Sequence, residues 1–136
     1  MTIWIGSVAA AAVLAFVIGA LWYGVLFGSA AAALSPAYAQ AAGATPQAWE
    51  IGFEVLRCVA LAVALAVLIR WTGVDRLSEA LLLALVIWGG FQAAGLAGAV
   101  VHEGYSARLY AIHTGDALVK AVAASLVITA LTARFA

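Results

Sequence analysis

Four long apolar stretches occupy most of this chain, and they constrain its fold more than any other feature. They cover about residues 3–27, 49–71, 77–101 and 109–132. A helix needs about 20 apolar residues to cross the hydrocarbon core of a bilayer, so each stretch is long enough to span a membrane. The sequence therefore predicts an integral membrane protein with four transmembrane helices.

Composition supports this class and argues against others. Hydrophobic residues make up 68% of the 136 residues and charged residues only 9%, whereas soluble domains are about half apolar and a quarter charged. The formal net charge is zero, so no broad electrostatic attraction to nucleic acid is expected. We therefore expect the lipid bilayer as the surroundings of this chain and no nucleic-acid partner.

The connections between the stretches predict an all-α, up-down four-helix bundle that forms one domain over residues 1–136. Two connections are short turns that contain Gly73 and Gly104, and short turns make consecutive helices antiparallel neighbours. The third connection, residues 28–48, is rich in Ala, Gly and Ser and contains both prolines. It predicts a pliable external loop with a short helix at about residues 37–42.

Cations at the ends of the stretches predict the orientation. Arg70, Arg76 and Arg134 fall on the side that both termini share, against Arg108 at the opposite rim. Because cytoplasmic loops carry an excess of Lys and Arg, both termini are predicted to be cytoplasmic.

Five ionisable side chains inside the apolar stretches form the candidate intramembrane polar site. Glu54 and Arg57 share one face of the second helix, and His113, Asp116 and Lys120 share one face of the fourth. A charge near the bilayer centre costs about 3 to more than 10 kcal/mol, so such groups persist when they are paired, hydrated or used. Asp116 stands four residues before Lys120, which is the spacing of a favourable ion pair within a helix.

Counting inward from the outer rim predicts the pairs between the second and fourth helices. Glu54 and His113 lie at about the same depth, and so do Arg57 and Asp116, at about 1.5 Å per residue. We therefore predict that Glu54 pairs with His113 and that Arg57 pairs with Asp116.

The polar site has three interpretations. The pairs could serve only to fix the register of the helices. They could form a proton or cation site that opens to the outer face, because a histidine near a carboxylate titrates near neutral pH. They could also bind a polar-headed ligand, such as a lipid, a quinone or a small metabolite, beside the candidate ligand-lining aromatics Trp22, Tyr23 and Trp88.

Motifs of soluble enzymes are missing from the sequence. There is no P-loop, dinucleotide fingerprint or Cys-x-x-Cys, and no serine or cysteine with an evident base beside it. We expect no catalytic residue, no cofactor and no bound metal, because His102, Glu103 and His113 lack a close ligand spacing. The single cysteine, Cys58, lies in an apolar stretch and is expected to pack as a small residue.

Two stripes of small residues at a spacing of four predict close helix contacts. Small side chains let helix backbones approach in lipid, and we expect these contacts within the monomer rather than at a dimer face. The mid-span Gln92 is expected to hydrogen-bond across a helix pair. The stripes are Ala20, Gly24 and Gly28 on the first helix, and Gly90, Ala94 and Gly98 on the third.

The leading interpretation is a non-enzymatic accessory subunit or homo-oligomer that associates through its transmembrane helices with other membrane proteins or with itself. The alternative is a small oligomeric transporter or channel for protons, cations or a polar solute, which would use the five ionisable residues. A second alternative is a protein that binds a lipid or a quinone-like ligand between its helices.

Two segments carry a resemblance to a known family. Residues 19–28, GALWYGVLFG, and residues 110–120, YAIHTGDALVK, resemble the first-helix and last-helix motifs of the membrane family catalogued as domain of unknown function 1761. The resemblance implies a multi-pass protein of the prokaryotic cytoplasmic (inner) membrane, with four helices and no assigned activity. No catalytic residue carries over, although Trp22, Tyr23, His113 and Asp116 lie within the two segments.

Overall fold

A computed structural model describes residues 2–134 of the chain, with the side chains of residues 4–133. Four helices are long and apolar enough to span a membrane, and the described part of the chain has no β-strand. The prediction of an all-α protein with four such helices is confirmed. Three residues of the predicted domain, Met1, Phe135 and Ala136, and the side chain of Arg134 lie outside the described residues. The sidedness of the termini stays a prediction.

The four long helices follow the predicted stretches closely, but two of them contain a wider π-helical turn. The first long helix is Thr2–Leu21 followed by the π-helix Trp22–Leu26. The second is Ala48–Thr72. The third is Leu77–Ile87, the π-helix Trp88–Ala93 and then Ala94–His102. The fourth is Ala107–Arg134.

Local signals in the sequence explain where the helices begin and end. The second long helix begins with a capping box, in which the Gln47 backbone N–H donates to Glu50 Oε2 at 2.8 Å. It ends at Gly73, whose φ of 70° lies in the left-handed region that favours glycine. Gly104, with φ of 72°, makes the tight turn between the third and fourth long helices in the same way.

The connection over residues 28–48 is more ordered than a pliable loop. It contains two short helices, Gly28–Leu34 and Pro36–Ala42, and the second confirms the short helix predicted at about 37–42. Ser35 between them is extended, as expected for a residue that precedes a proline. Ala31 of the first short helix is fully buried, so this connection is packed against the bundle.

The fourth long helix is the centre of the bundle. It packs most extensively against the first, and it also contacts the second and third. The second long helix packs mainly against the first, whereas the second and third touch only marginally. The bundle is therefore closed where three helices meet and open between the second and third.

One half of the bundle is packed with apolar side chains. This packed half lies toward the end where the first long helix begins and the fourth ends, and alanines on three helices bring their backbones together there. Its buried residues are Ala11, Ala12, Ala62, Leu65, Ala66, Ile69, Ala124 and Ile128.

The predicted use of the two small-residue stripes within the monomer is wrong. A Cβ added to Gly24, Gly90 or Gly98 would meet no atom within 4 Å, and Ala20 and Ala94 are exposed. The prediction assumed regular α-helices, but π-helical turns interrupt both stripes, and Gly28 begins the first short helix instead of continuing the first long one. The alanines of the packed half make the close contacts instead.

Candidate functional site

A large cleft occupies the other half of the bundle, toward the end with the two short helices. Its volume is about 810 Å³. All four long helices contribute to its wall, through residues such as Tyr23, Glu54, Gln92 and Asp116, and the second short helix adds Tyr38. The marginal contact between the second and third long helices leaves room for it.

Four charged side chains form one ionic network along this cleft. Arg57 Nη1 lies 2.8 Å from Glu54 Oε2, and the other oxygen of Glu54 lies 3.1 Å from Lys120 Nζ. Lys120 Nζ also lies 2.9 Å from Asp116 Oδ2. The network therefore alternates in sign and links the second long helix to the fourth.

The network is buried at its Asp116 end and exposed at its Arg57 end. The side chains of Lys120 and Asp116 are each 8% exposed, that of Glu54 is 31% exposed and that of Arg57 is 64% exposed. Removing a buried charge from its partner is expensive in lipid. Lys120 is paired with two carboxylates rather than one, which offsets this cost.

Gly19 of the first long helix makes room for the Lys120 ammonium group. A Cβ at this position would lie 2.6 Å from Lys120 Nζ and 2.9 Å from Lys120 Cε. Even an alanine would therefore push the ammonium group away from its place between Glu54 and Asp116. Three helices, and not only the two that carry the charges, define the position of this cation.

Two acceptor atoms in the wall of the cleft have no hydrogen-bond partner among the described residues. They are Asp116 Oδ1 and Gln92 Oε1, and both atoms are buried. Asp116 is 6% exposed as a whole residue. Buried polar atoms in proteins are nearly always paired, so each unpaired one calls for an explanation. Other unpaired buried atoms, on Trp4, Ser125 and Thr129, lie away from the cleft. Asp116 and Gln92 differ from them because both residues line the cleft, which makes their oxygens candidate acceptors for a bound molecule.

Three tyrosines from three separate segments surround His113 at the cleft. The Tyr23 hydroxyl is hydrogen-bonded to His113 Nδ1 at 2.6 Å. The rings of Tyr38 and Tyr105 lie 5.2 and 6.0 Å from the imidazole, measured between centroids. Burial raises the pKa of Tyr38 above its ordinary value, so its hydroxyl stays protonated and neutral at pH 7.

Each of the two π-helices begins at a tryptophan whose indole N–H donates a hydrogen bond to the backbone of the fourth long helix. Trp22 Nε1 donates to the carbonyl oxygen of Ile112 at 3.0 Å, and Trp88 Nε1 donates to that of Thr114 at 2.7 Å. π-helical turns occur often at functional sites. The two tryptophans thus fix the first and third long helices against the segment of the fourth that carries His113 and Asp116.

The predicted pairs between the helices are wrong, whereas the predicted pair within a helix is present. Glu54 contacts Arg57 and Lys120 instead of His113, whose hydrogen bond goes to Tyr23. Asp116 pairs with Lys120, as its spacing indicated, and not with Arg57. All five predicted residues nevertheless line one cleft.

Of the three aromatic residues predicted to line a ligand site, the cleft includes only Tyr23. Trp88 does not line it. Trp22 lies on a separate apolar groove of about 360 Å³ with Phe27, Arg108 and Gly115. Gln92 is expected to hydrogen-bond across a helix pair, but its Oε1 accepts no hydrogen bond from a described residue.

Sequence reasoning missed several residues of the cleft. Gly19, Tyr38 and Tyr105 carry no local signal of a site. Each comes close to a charged or titratable residue only because segments distant in the sequence pack together. Cys58 was expected only to pack, yet it lines the cleft and its Sγ lies 3.8 Å from Glu54 Oε1. Its position one turn after Glu54 could have placed it there.

Comparison with known proteins gives one match. No curated protein and no solved structure matches this chain. Residues 7–129 match the family described as "Protein of unknown function (DUF1761)". The match covers the second and third long helices, most of the first and fourth, and every residue that lines the cleft. The chain belongs to this family, DUF1761.

Proposed function

We propose that this protein is a non-enzymatic membrane protein that binds a polar small molecule in the cleft and acts as a small carrier. Its membrane would be the cytoplasmic (inner) membrane of a prokaryote. The observation that carries the proposal is the buried ionic network that lines the cleft and leaves one carboxylate oxygen of Asp116 unpaired. The volume of about 810 Å³ lies within the range of about 300–1,000 Å³ usual for small-molecule sites.

The shape of the cavity favours binding over a purely structural role. Charged pairs that only fix helix register need no cavity beside them, and they work best when every acceptor is satisfied. Here the network borders a large cleft, and Asp116 Oδ1 and Gln92 Oε1 remain unpaired. The geometry therefore supports the alternative function more strongly than association alone.

The difference between the two halves supports a carrier. The cleft lies toward one end of the bundle, and the packed half fills the other end with residues such as Leu65 and Ile128. A site near the middle of the bundle that is closed toward one end is what one state of an alternating-access carrier requires. Four helices seldom enclose such a path alone, so a second copy would complete it.

Cysteine labelling tests whether water reaches the cleft. Leu61 lines the cleft, whereas Leu56 lies on the same helix, is 61% exposed and does not line it. Each is replaced by cysteine in a Cys58→Ala background, and the protein is reconstituted in liposomes. We expect a charged, membrane-impermeant methanethiosulfonate to label Leu61→Cys at least about tenfold faster than Leu56→Cys, because lipid excludes a charged reagent.

The control variant, Leu56→Cys, is chosen so that its greater exposure works against the expected result. Leu56 lies nearer the beginning of the second long helix and is the more exposed of the two leucines, so position and exposure alone would favour labelling of Leu56→Cys. Equal rates, or faster labelling at Leu56→Cys, would mean that the cleft is filled with side chains or lipid, and the proposed binding function would fail.

A second candidate function, association with another copy or another membrane protein, is favoured by the open space beside three glycines of the small-residue stripes. Gly24, Gly90 and Gly98 have open space beside them, which suits a close approach by a second helix. Native mass measurement in mild detergent tests this. We expect Gly90→Leu to dissociate an oligomer that Gly52→Leu leaves intact, since Gly52 is equally open but belongs to no stripe. A monomer in the unmodified protein would exclude the homo-oligomer.

A further inference from the structure

We propose that the ligand of the cleft is a zwitterion that carries an ammonium group and an acid group. The inference rests on the proposed binding function of the cleft, and it adds the chemical class of the ligand. Two sources share this chemistry, free amino acids and the headgroup of an ethanolamine phospholipid.

The two ends of the ionic network have unused hydrogen-bonding groups of opposite kinds, donors at one end and an acceptor at the other. At one end, Arg57 uses Nη1 for Glu54, and its side chain is 64% exposed and lines the cleft. Its remaining N–H groups suit a carboxylate or phosphate, which a guanidinium binds with two parallel hydrogen bonds. At the other end, Asp116 Oδ1 is a buried carboxylate oxygen without a partner. An ammonium group supplies the donor that this oxygen lacks.

Gln92 adds a second unpaired acceptor from another helix. Its Oε1 is buried, and the residue is part of the cleft lining. Gln92 lies on the third long helix and Asp116 on the fourth, and these two helices pack against each other. A primary ammonium group has three donors, more than Asp116 Oδ1 alone can use.

Charge balance within the network favours a zwitterion over a simple cation or anion. The network contains two cations, Arg57 and Lys120, and two carboxylates, Glu54 and Asp116, so it is neutral as a unit. The cleft wall has one further carboxylate, Glu50, but this residue is exposed at the start of the second long helix and accepts from the Gln47 N–H. A ligand with net charge would bring an uncompensated charge into the membrane, which is expensive. A zwitterion presents one charge to each free end of the network and leaves the sum at zero.

The rest of the wall accommodates an apolar body. Phe16, Leu61 and Leu96 line the cleft together with the rings of Tyr23 and Tyr38. Sites for small molecules commonly combine such apolar walls with a few polar groups that fix the orientation. The cleft therefore suits a zwitterion with an apolar side chain, or a headgroup whose acyl chains lie toward the lipid.

Calorimetric titration tests the ligand class with defined probes. The purified protein, in a maltoside detergent free of ethanolamine lipid, is titrated with each standard L-amino acid and with O-phosphoethanolamine. The tightest probe is then compared with two truncated forms, one without the acid group and one without the amine. We expect each truncated form to bind at least about tenfold more weakly, because each lacks a charge-assisted hydrogen bond.

Variants assign the two halves of the ligand to the two ends of the network. Arg57→Gln should weaken binding of the zwitterion about tenfold but leave the affinity for the amine form unchanged. Asp116→Asn should weaken the amine form and leave the acid form unchanged. If Asp116→Asn does not fold, Gln92→Leu removes the other acceptor without changing a charge. Arg108→Gln is the matched control, because this exposed arginine lies outside the cleft.

The outcomes separate this inference from the function on which it rests. A truncated form that binds as tightly as the zwitterion would overturn the inference, and so would the absence of binding by every probe. If the cysteine at position 61 is still labelled from water in that case, the cleft remains a binding site for a different class of ligand. A preference for amino acids over O-phosphoethanolamine identifies a free solute, and the reverse preference identifies a lipid headgroup.

Discussion

The packed half and the cleft half use the same helices in opposite ways. Along the second long helix, Glu54 and Arg57 border the cleft, and about two turns later Ala62 and Leu65 are buried in the packed half. In the packed half the helices touch through alanine and aliphatic side chains. In the cleft half the helices are linked by an ionic network and by indole N–H groups.

This difference explains how a chain with so few polar residues can build a site. Between helices in lipid there is little hydrophobic driving force, so close packing depends on small side chains. Large charged side chains keep the helices apart, and they are tolerated because each has a partner. The packed half therefore holds the bundle together while the cleft half stays open, and four predictions probe that division.

The largest effect is expected for Lys120→Met. This change replaces the aliphatic part of the side chain by one of similar length but leaves Asp116 and Glu54 without their shared cation. Removing one partner from a buried ion network costs about 3–5 kcal/mol. The free energy of unfolding, measured by denaturant titration in detergent, should fall by that amount.

The double variant Lys120→Met with Asp116→Asn is the control for this loss. If unpaired charge is the cause, neutralising Asp116 should recover part of the stability, because the two residues are coupled. A double variant that is less stable than Lys120→Met by the full cost of Asp116→Asn would show that the two side chains do not interact.

A somewhat smaller effect is expected for Leu65→Ala in the packed half. Leu65 is 1% exposed, so the shortened side chain leaves a cavity among tightly packed neighbours, and such changes cost about 2–4 kcal/mol. The same change at Leu61, which is only partly buried between the cleft and the packed half, should cost less, since one side of this residue is already open. Equal losses in thermal unfolding at the two positions would contradict the division into two halves.

The limits of the long helices could be predicted from the sequence because the thickness of the bilayer sets their length. The predicted stretch 49–71 compares with Ala48–Thr72 in the structure. The ion pair between Asp116 and Lys120 could also be predicted, because helical spacing alone brings the two side chains together. Both features are local in the chain.

The pairs between helices could not be predicted, because they depend on side-chain length and helix rotation. Lys120 lies about two turns deeper than His113, yet its long side chain reaches Glu54. Counting residues from the rim compares backbone positions and ignores that reach. The two π-helical turns and the return of Tyr38 to the cleft likewise have no local signal in the sequence.

A loss of about 1 kcal/mol is expected for Gly19→Ala. The added methyl group displaces the Lys120 ammonium group, and this strain is offset by the gain of about 0.5–1 kcal/mol from replacing a helical glycine. Gly6→Ala on the same helix is the control, since a Cβ there meets no atom within 4 Å. It should be neutral or stabilising. Thermal unfolding of both variants measures the difference, and a stabilised Gly19→Ala would place the ammonium group elsewhere.

The smallest effect on stability is expected for Arg57→Gln, although it removes a charge from the same network as Lys120→Met. Its side chain is 64% exposed, and its partner Glu54 keeps Lys120. An exposed pair is worth less than about 1 kcal/mol, and the loss should fall within that range. Denaturant titration of both variants makes the comparison. If Arg57→Gln destabilises as much as Lys120→Met, the cleft is closed around the arginine and the network is purely structural. A stable variant would mean that Arg57 has hydrogen-bonding capacity that the fold does not need, which is what a group that binds a ligand requires.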